Sequence, residues 1–240
     1  MRDQTYWKTL LHRHGGFYEC PCDESGNPLG PIVGYTERYD GVNQLVGMIY
    51  VNCAKIEEDG LSLREVSEGL LDFDIVRENE FTGFCGAPEG GKALAAVMAA
   101  LSGKQNVFPD KVIEEEVNAS RPIYRFKFGR HEPKKGGKYL LVEDVTNNFS
   151  TARRIIELFH DKEASIIGIL AFWNRSSDVH DWFEHAGERI PMRALVQYPF
   201  MKYRQDDPRV ATAIKLRNVV LDPKDAKEWN LLMRAMKPSH

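Results

Sequence analysis

The stretch from Lys138 to Phe159 most constrains how this chain can fold, because it joins a buried strand to an amphipathic helix. Tyr139 to Val142 is a continuous apolar run, short enough for a strand that is buried on both faces. The helix after it carries one apolar stripe at helical spacing, formed by Ala152, Ile155, Ile156 and Phe159. A second apolar run, Ser165 to Phe172, follows the helix. The pattern predicts a strand–helix–strand unit of an α/β protein.

Two acids and a polar turn lie where this strand meets the helix. Glu143 and Asp144 end the strand, and the turn is Thr146-Asn147-Asn148-Phe149-Ser150-Thr151. Helix N-terminal amides and nearby hydroxyls can bind a phosphate, and carboxylates at a strand's carboxyl end can bind magnesium or sugar hydroxyls. An ordinary strand–turn–helix connection with acids near the helix dipole gives the same pattern, so both interpretations stay open on these residues alone.

The stretch LLVEDVTNNFST also resembles the ribose-phosphate loop of type I phosphoribosyltransferases. Two more stretches resemble that family in the same order along the chain. FCGAPEGGKALA, residues 84–95, is similar to the pyrophosphate loop and following helix of the orotate phosphoribosyltransferase branch. GILAFWNR, residues 168–175, is similar to the strand that ends in an arginine near the base site. The resemblance covers roughly residues 45–200, and three matches in order are more specific than any one alone.

The resemblance implies an α/β fold with a mainly parallel sheet flanked by helices. Residues 1–60 would form a small N-terminal hood on the base side, and residues 61–240 the core with a C-terminal helix. The implied activity is transfer between 5-phosphoribosyl diphosphate and a nitrogenous base, with orotate as the best candidate. Mg²⁺ is the implied cofactor, and a homodimer the implied assembly.

Roles for individual residues follow from the same resemblance. Glu143 and Asp144 would contact the ribose and, mostly indirectly, the metal. The 5-phosphate would lie against Thr146, Asn147, Asn148, Phe149, Ser150 and Thr151. The diphosphate would lie against Ala87, Pro88, Glu89, Gly90, Gly91 and Lys92, in a loop that often contains a cis peptide. Arg175 would face an anionic base. Tyr50 could stack on the base, although core packing explains a tyrosine there equally well.

A basic loop, GRHEPKKGG, spans residues 129–137. In the family a mobile loop at this place closes over the diphosphate. We therefore expect catalytic roles for His131 and Lys134, and diphosphate contacts from Arg130 and Lys135. A solvated basic surface is the alternative, and the short loop lacks the family's usual pattern.

The turn departs from the family pattern. Asn148 and Phe149 stand where the family has a pair of small residues, mostly glycine, and one residue is missing after Val145. We expect Asn148 to take a positive φ and Phe149 to point away from the phosphate. The family's base-contacting lysine also has no clear counterpart. These departures favour a second hypothesis, an inactive relative that binds a nucleotide or phosphoribosyl ligand for regulation.

The composition of the chain limits the kinds of partner and environment that we expect for it. A net charge of −3 and a pI near 6.2 give no indication of nucleic-acid binding, and no apolar run approaches a membrane span. The scattered cysteines predict a reduced, cytoplasmic protein. His12, His14, Cys20 and Cys22 could supply four zinc ligands, but their spacing matches no common zinc finger, so a loop with buried thiols is the alternative.

Periodicity predicts several other elements. A short helix is expected over residues 3–13, extended segments over Gly30–Tyr35 and Leu45–Ala54, a helix over Ser177–Ala186, and a last helix capped by Asp222.

Overall fold

The computed structural model describes residues 2–115 and 123–236. Its helices are α1 (Gln4–Arg13), α2 (Ala54–Glu57), α3 (Gly60–Leu71), α4 (Asp74–Arg77), α5 (Gly91–Ser102), α6 (Ser150–His160), α7 (Pro208–Lys215) and α8 (Ala226–Ala235). Its strands are β1 (Phe17–Glu19), β2 (Ile32–Arg38), β3 (Gln44–Gly47), β4 (Ile49–Val51), β5 (Gly83–Gly86), β6 (Gln105–Val107), β7 (Pro109–Glu115), β8 (Ile123–Phe128), β9 (Lys138–Thr146), β10 (Ser165–Asn174), β11 (Trp182–His185), β12 (Glu188–Gln197) and β13 (Val219–Val220). Within this part of the chain, no helix has the length and apolar character needed to cross a bilayer.

The chain divides into two compact units. The first contains residues up to Trp7 and Ile56–Pro199, and the second contains Lys8–Lys55 with the described residues from Phe200 onward. This division differs from the expected hood of residues 1–60 and core of 61–240. The reason is backbone pairing: β13 extends β2 in parallel, and Val46 and Tyr203 exchange two backbone hydrogen bonds of 2.9 and 2.8 Å.

A six-stranded sheet in the order β11-β12-β10-β9-β5-β6 forms the centre of the first unit. Neighbouring strands in this sheet pair in parallel, except that β11 is antiparallel to β12. This confirms the predicted α/β class and mainly parallel sheet. The predicted unit appears as β9, α6 and β10, with Leu141 opposite Ile169.

Apolar residues cover the sheet because alternate side chains of each strand point to opposite faces. One face packs against α6, whose stripe Ala152, Ile155, Ile156 and Phe159 is buried. Phe159 meets the rings of Phe128 and Tyr139 edge-on, at 5.3 and 5.2 Å between centroids. Helices α3 and α5 pack against each other and against β10 and β9, respectively. The sheet is therefore flanked by helices, as predicted.

Parallel pairing brings the carboxyl ends of the central strands to one edge of the sheet. Gly86 at the end of β5 pairs with Val142, and Thr146 at the end of β9 pairs with Asn174 at the end of β10. The segments that follow these strands, residues 87–91, 147–149 and 175–181, start at this edge. Ligands of α/β sheets bind at such edges.

The second unit is built around a small sheet in the order β13-β2-β3, together with the pair β1–β4. The antiparallel pairing of β2 with β3 confirms the expected extended segments, and α1 confirms the expected N-terminal helix. Trp229 of α8 is buried, and its indole nitrogen donates to the Gly15 carbonyl at 3.1 Å.

The predicted helix over residues 177–186 is wrong, because the second half of this range forms the edge strand β11. Phe183 is buried while its neighbours Trp182 and Glu184 are exposed, which is the two-residue period of a strand. Ala186 and Gly187 both have positive φ, 50° and 82°. Two such residues favour a tight hairpin between β11 and β12.

The cap of the last helix also differs from the prediction. Asp225, not Asp222, precedes α8, and its side chain accepts hydrogen bonds from the amides of Lys227 and Glu228 at 2.9 and 3.1 Å. Asp222 accepts a longer bond of 3.3 Å from the Lys224 amide, outside the helix.

We expect Asp225→Ala to lower the free energy of unfolding by about 1 kcal/mol, because two first-turn amides lose their acceptor. Asp222→Ala is the matched control and should change it by less than about 0.5 kcal/mol. Urea unfolding followed by circular dichroism measures both. Equal losses in the two variants would contradict the cap assignment.

Candidate functional site

The loop after β5, residues 87–91, is held tightly against the end of β9. The Ala87 amide donates to the Val142 carbonyl at 2.9 Å, and the Gly91 amide donates to the Ala87 carbonyl at 3.0 Å. The peptide bond between Pro88 and Glu89 is cis, as the sequence led us to expect. The start of the loop is therefore hydrogen-bonded to β9, the strand that carries the two acids.

Two glycines make this approach possible. A Cβ at Gly90 would lie 2.2 Å from Asp144 Cγ, and a Cβ at Gly91 would lie 2.0 Å from the Val142 carbonyl oxygen. At Gly91 the obstacle is backbone, so glycine is required there, whereas a side chain at position 90 would displace the Asp144 carboxyl group. The predicted diphosphate loop and the predicted ribose acids are consequently neighbours in space.

The two acids differ in environment. Glu143 is buried, and its burial, together with the charge of Asp144, raises its pKa well above the usual value. Asp144 is only partly buried, and its Oδ1 accepts a hydrogen bond of 2.8 Å from the Val145 amide. The pair therefore offers one carboxyl that favours its neutral form and one more accessible carboxylate.

A third carboxyl, Glu57 at the end of α2, belongs to the same electrostatic group. Burial, and secondly the charge of Asp144, raise the pKa of Glu57 to about 7. Glu57 lies far from the acid pair in sequence and follows no motif, so the sequence alone does not identify it.

Stability should depend on pH through Glu57. Its folded-state pKa is raised from 4.5 to about 7, so the folded protein holds this proton more tightly than the unfolded chain. The resulting stability is complete below about pH 4.5 and is lost as the pH rises through about 7. Glu57→Gln should therefore gain stability relative to the wild type between about pH 5 and about pH 8.

Urea unfolding at the two pH values measures this difference. Glu58→Gln, which removes an exposed neighbouring carboxyl, is the control for the loss of one acidic side chain at this place in the chain. A Glu57→Gln variant whose difference from the wild type is the same at both pH values would contradict the coupling.

The acid pair fits magnesium that arrives with a phosphorylated ligand. Among the described residues, no group of three or more His, Cys, Asp or Glu side chains is placed to hold a metal ion. Magnesium usually keeps several waters and is bound by one or two carboxylates together with substrate phosphates. Asp144, with Glu143 beside it, has the oxygen chemistry and the small ligand number of that pattern.

The turn after β9 leads into α6, and the first amide of that helix is already hydrogen-bonded to a side chain of the turn. The Ser150 amide donates to Asn148 Oδ1 at 3.1 Å, and the Arg153 guanidinium donates to the Asn148 carbonyl at 2.8 Å. The next amides, of Thr151 and Ala152, belong to the first helical turn, where amides have no acceptor within the helix. The turn thus presents a helix N-terminus at the carboxyl edge of the sheet.

Phe149, and not Asn148 as expected, adopts the left-handed conformation, with φ of 57°. Its ring is buried and stacks on Phe183, with 5.0 Å between centroids and 17° between planes. The ring therefore points into the core, as expected, and does not occupy the space in front of the helix N-terminus. Ring burial offsets a backbone conformation that bulky residues disfavour.

We expect Phe149→Ala to lower the free energy of unfolding by about 3–5 kcal/mol, because it leaves a cavity under α6. Phe149→Gly also loses the ring, but glycine adopts positive φ without a steric cost. The glycine variant should therefore be more stable than the alanine variant by about 1 kcal/mol. Urea unfolding of both checks this, and the opposite order of stability would refute the conformational argument.

Thr146 is positioned by a buried asparagine. Its hydroxyl donates to Asn174 Oδ1 at 2.8 Å, and the same oxygen accepts from the Ser176 amide at 3.0 Å. The Asn174 amide group donates to the Val179 carbonyl at 2.5 Å. Asn174 thus connects the turn after β9, at Thr146, to the segment after β10. Asn174 was not among the predicted site residues, although it directly precedes Arg175.

Arg175 lies beside the turn after β9. Its backbone amide donates to the Thr146 carbonyl at 3.0 Å, and its side chain is partly buried. The structure therefore brings Arg175 to the same edge of the sheet as the acid pair.

The basic loop is divided between the two ends of the sheet. His131 stacks on Phe108, which directly follows β6, at 4.5 Å between centroids. The Lys92 ammonium lies 5.0 Å from the centroid of the same Phe108 ring and 3.4 Å from Asp110 Oδ1. Lys92 and His131 are consequently close to the loop after β5. Arg130 is exposed next to His131.

Lys134 and Lys135 are not brought to the acid pair. The Lys134 amide donates to the Tyr139 hydroxyl at 2.9 Å, and the Lys135 ammonium pairs with Glu163 at 2.7 Å. Tyr139 and Glu163 lie near the starts of β9 and β10. At about 3.3 Å per residue, Asp144 lies about 17 Å farther along the strand from Tyr139. The loop leads into β9, so its last residues lie at the amino edge.

The remaining predicted positions lie in the second unit. Tyr50 is partly exposed, and its ring packs at 6.0 Å from the Trp229 ring. The zinc hypothesis would need His12, His14, Cys20 and Cys22 together, and they do not form such a group in the described part of the chain. All four cysteines of the chain are free thiols.

Structural comparison identifies the fold. An orotate phosphoribosyltransferase from Aeropyrum pernix superposes with a TM-score of 0.53 at 15% identity, covering 79% of this chain and 92% of that one. An adenine phosphoribosyltransferase from Rhodothermus marinus superposes with a TM-score of 0.52 at 16% identity, covering 81% and 99%. The Leishmania donovani UMP synthase gives 0.53 at 11% identity and covers 96% of this chain, which spans 41% of that longer protein.

The chain therefore has the fold of type I phosphoribosyltransferases. Orotate and adenine enzymes match about equally well, so the comparison does not separate these two branches. No known family profile matches the sequence, and no curated protein matches it either.

Proposed function

We propose that this protein transfers a phosphoribosyl group between 5-phosphoribosyl diphosphate and a nitrogenous base, giving a nucleoside 5′-monophosphate and pyrophosphate. The observation that carries the proposal is the contact of Gly90 with Asp144, which joins the loop at residues 87–91 to the acid pair. The helix N-terminus after Phe149 starts at the same sheet edge. One phosphoribosyl diphosphate could thus contact an anion-binding loop, a carboxylate and a phosphate-binding turn.

The acid pair would act on the ribose. Its C1 gains positive charge as the bond to pyrophosphate breaks, and a fixed carboxylate nearby stabilises that charge. Asp144 suits this role because it is the more accessible acid, while burial favours neutral Glu143. A neutral Glu143 can donate a hydrogen bond to a ribose hydroxyl, whereas Asp144 can only accept one.

The diphosphate and the 5-phosphate of the substrate would be bound on opposite sides of the acid pair. Amides of the 87–91 loop would contact the diphosphate, and Lys92 and His131 would supply positive charge near the leaving group. The amides of Thr151 and Ala152, with the Ser150 and Thr151 hydroxyls, would hold the 5-phosphate. Magnesium, when bound, would neutralise part of the diphosphate charge beside Asp144. Holding both ends of the substrate orients C1 for reaction.

The base would lie near the segment after β10. Arg175 provides a cation at the sheet edge, and a guanidinium pairs well with a carboxylate, so an acidic base such as orotate is the best candidate. A stacking role for Tyr50 stays a prediction. The homodimer and the cytoplasmic location are also predictions that follow from the proposed activity.

A second candidate is a binding protein without turnover. The Ser150 amide is already engaged by Asn148 Oδ1, so the turn offers one amide fewer to a phosphate. Phe149 also makes the turn less adaptable than glycine would. A ligand could then bind without the geometry that transfer requires.

Two measurements separate the candidates. Calorimetry measures binding of phosphoribosyl diphosphate with magnesium, and an assay of pyrophosphate release in the presence of orotate, adenine, uracil or hypoxanthine measures transfer. We expect binding and release with at least one base. Asp144→Asn should lower kcat/KM by about 100-fold or more, because the developing charge loses its partner. Asp161→Asn, at the exposed end of α6, is the control and should keep wild-type rates.

Binding without pyrophosphate release would favour the regulatory candidate. Failure to bind phosphoribosyl diphosphate at millimolar concentration would refute the transferase, and failure to bind nucleoside 5′-monophosphates as well would refute the regulatory candidate. Wild-type kinetics in Asp144→Asn would remove the assigned role of the acid pair.

A further inference from the structure

Three sulfur-bearing side chains meet in the second unit, in a region that the proposed activity does not use. Cys20 and Cys22 follow β1 on either side of Pro21, and Met48 lies between β3 and β4. The Cys22 Sγ atom is 3.8 Å from Met48 Sδ and 3.3 Å from the Cys20 carbonyl oxygen. Two chain segments thus contribute soft donor atoms to one cluster.

Backbone hydrogen bonds hold these segments together. The Cys20 amide donates to the Met48 carbonyl at 2.7 Å. The Pro21 carbonyl accepts from the amides of Leu29 and Gly30, at 2.8 and 3.2 Å. The position of the sulfur atoms therefore follows from the fold of the loop and does not depend on side-chain contacts alone.

The cluster has a closed side and an open side. Cys20 is buried, and its thiol donates to the Gly30 carbonyl at 3.2 Å. Cys22 is exposed and Met48 is partly exposed. An ion could enter past Cys22 and be held against the buried thiol, which gives the site an entry path.

We propose that Cys20, Cys22 and Met48 form a three-sulfur site for a soft monovalent metal ion, Cu(I). Two sulfur atoms that share a metal at about 2.3 Å lie about 3.8–4.0 Å apart at tetrahedral to trigonal angles, and the Cys22–Met48 separation is 3.8 Å. Each thiol loses its proton to solvent on coordination. The site is independent of the proposed transferase activity.

The donor set favours Cu(I) over zinc. Thiolate and thioether ligands together are typical of Cu(I), whereas structural zinc sites almost always have four cysteine, histidine or carboxylate ligands. His12 and His14 do not complete such a set within the residues that the structure describes. The histidines of the zinc hypothesis are thus replaced by a methionine that lies outside the motif in sequence.

Anaerobic titration of the full, reduced chain with Cu(I), in competition with a chromogenic Cu(I) chelator, tests the proposal. The wild type should bind one ion per chain. Cys22→Ser should weaken binding by more than about 100-fold, beyond the loss of an outer-shell partner. Met48→Leu should weaken it by about 10-fold, since a thioether is a weaker donor than a thiolate. Cys53→Ser, which removes a buried thiol outside the cluster, is the control and should bind like the wild type.

X-ray absorption at the copper edge of the loaded wild type provides a second measurement that needs no variant. Three sulfur neighbours at about 2.3 Å support the site. Nitrogen or oxygen neighbours, fewer than three sulfurs, or one ion shared by two chains would overturn it. Unchanged affinity in Cys22→Ser or Met48→Leu would also overturn it, provided that thermal unfolding shows the variant to be folded.

Discussion

The close approach of the loop after β5 to the last residues of β9 is the constraint on which the candidate site depends. Gly90 and Gly91 leave room for Asp144 and for the Val142 carbonyl, and the Ala87 amide ties the loop to the same strand. Because of this packing, the loop amides and the acid pair occupy fixed positions relative to each other before any ligand arrives. Preorganised groups of this kind contribute most to catalysis when charge develops during the reaction.

At Phe149 the backbone conformation and the side chain have opposing requirements. A glycine would adopt the left-handed conformation freely, whereas phenylalanine does so at a steric cost. The stacking of its ring on Phe183 offsets that cost and couples the turn after β9 to β11. A flexible glycine turn would adjust more easily around a phosphate. The turn with Phe149 is less adaptable, but the buried ring makes it more stable.

The local elements of the first unit could be predicted from the sequence because they obey simple periodicities. The apolar run before Glu143 and the stripe that ends at Phe159 identify β9 and α6 without reference to the rest of the chain. The order of three motifs led to the correct fold, although the choice between orotate and adenine remained beyond reach. That choice depends on a few side chains around the base, which periodicity does not encode.

The remaining features depend on contacts between distant residues. Glu57 reaches the acid pair only through the fold, and Asn174 becomes informative only when its partners at Thr146 and Ser176 are known. The basic loop illustrates a different limit. In the sequence, a cluster of lysines before a strand suggests one functional surface. A loop that leads into a parallel strand, however, ends at the edge of the sheet where the strands begin, opposite the edge where their carboxyl ends lie. Lys134 and Lys135 therefore lie at the opposite end of β9 from Asp144.

The pairing of β13 with β2 has a consequence for biosynthesis. Residue 219 must reach residue 32 before the small sheet of the second unit is complete, whereas residues 56–199 of the first unit form one continuous segment. A ribosome releases the chain from the N-terminus, so the large sheet can assemble while β2 and β3 still lack their third strand. During that interval β2 exposes an unpaired edge, the kind of surface on which aggregation starts and chaperones act.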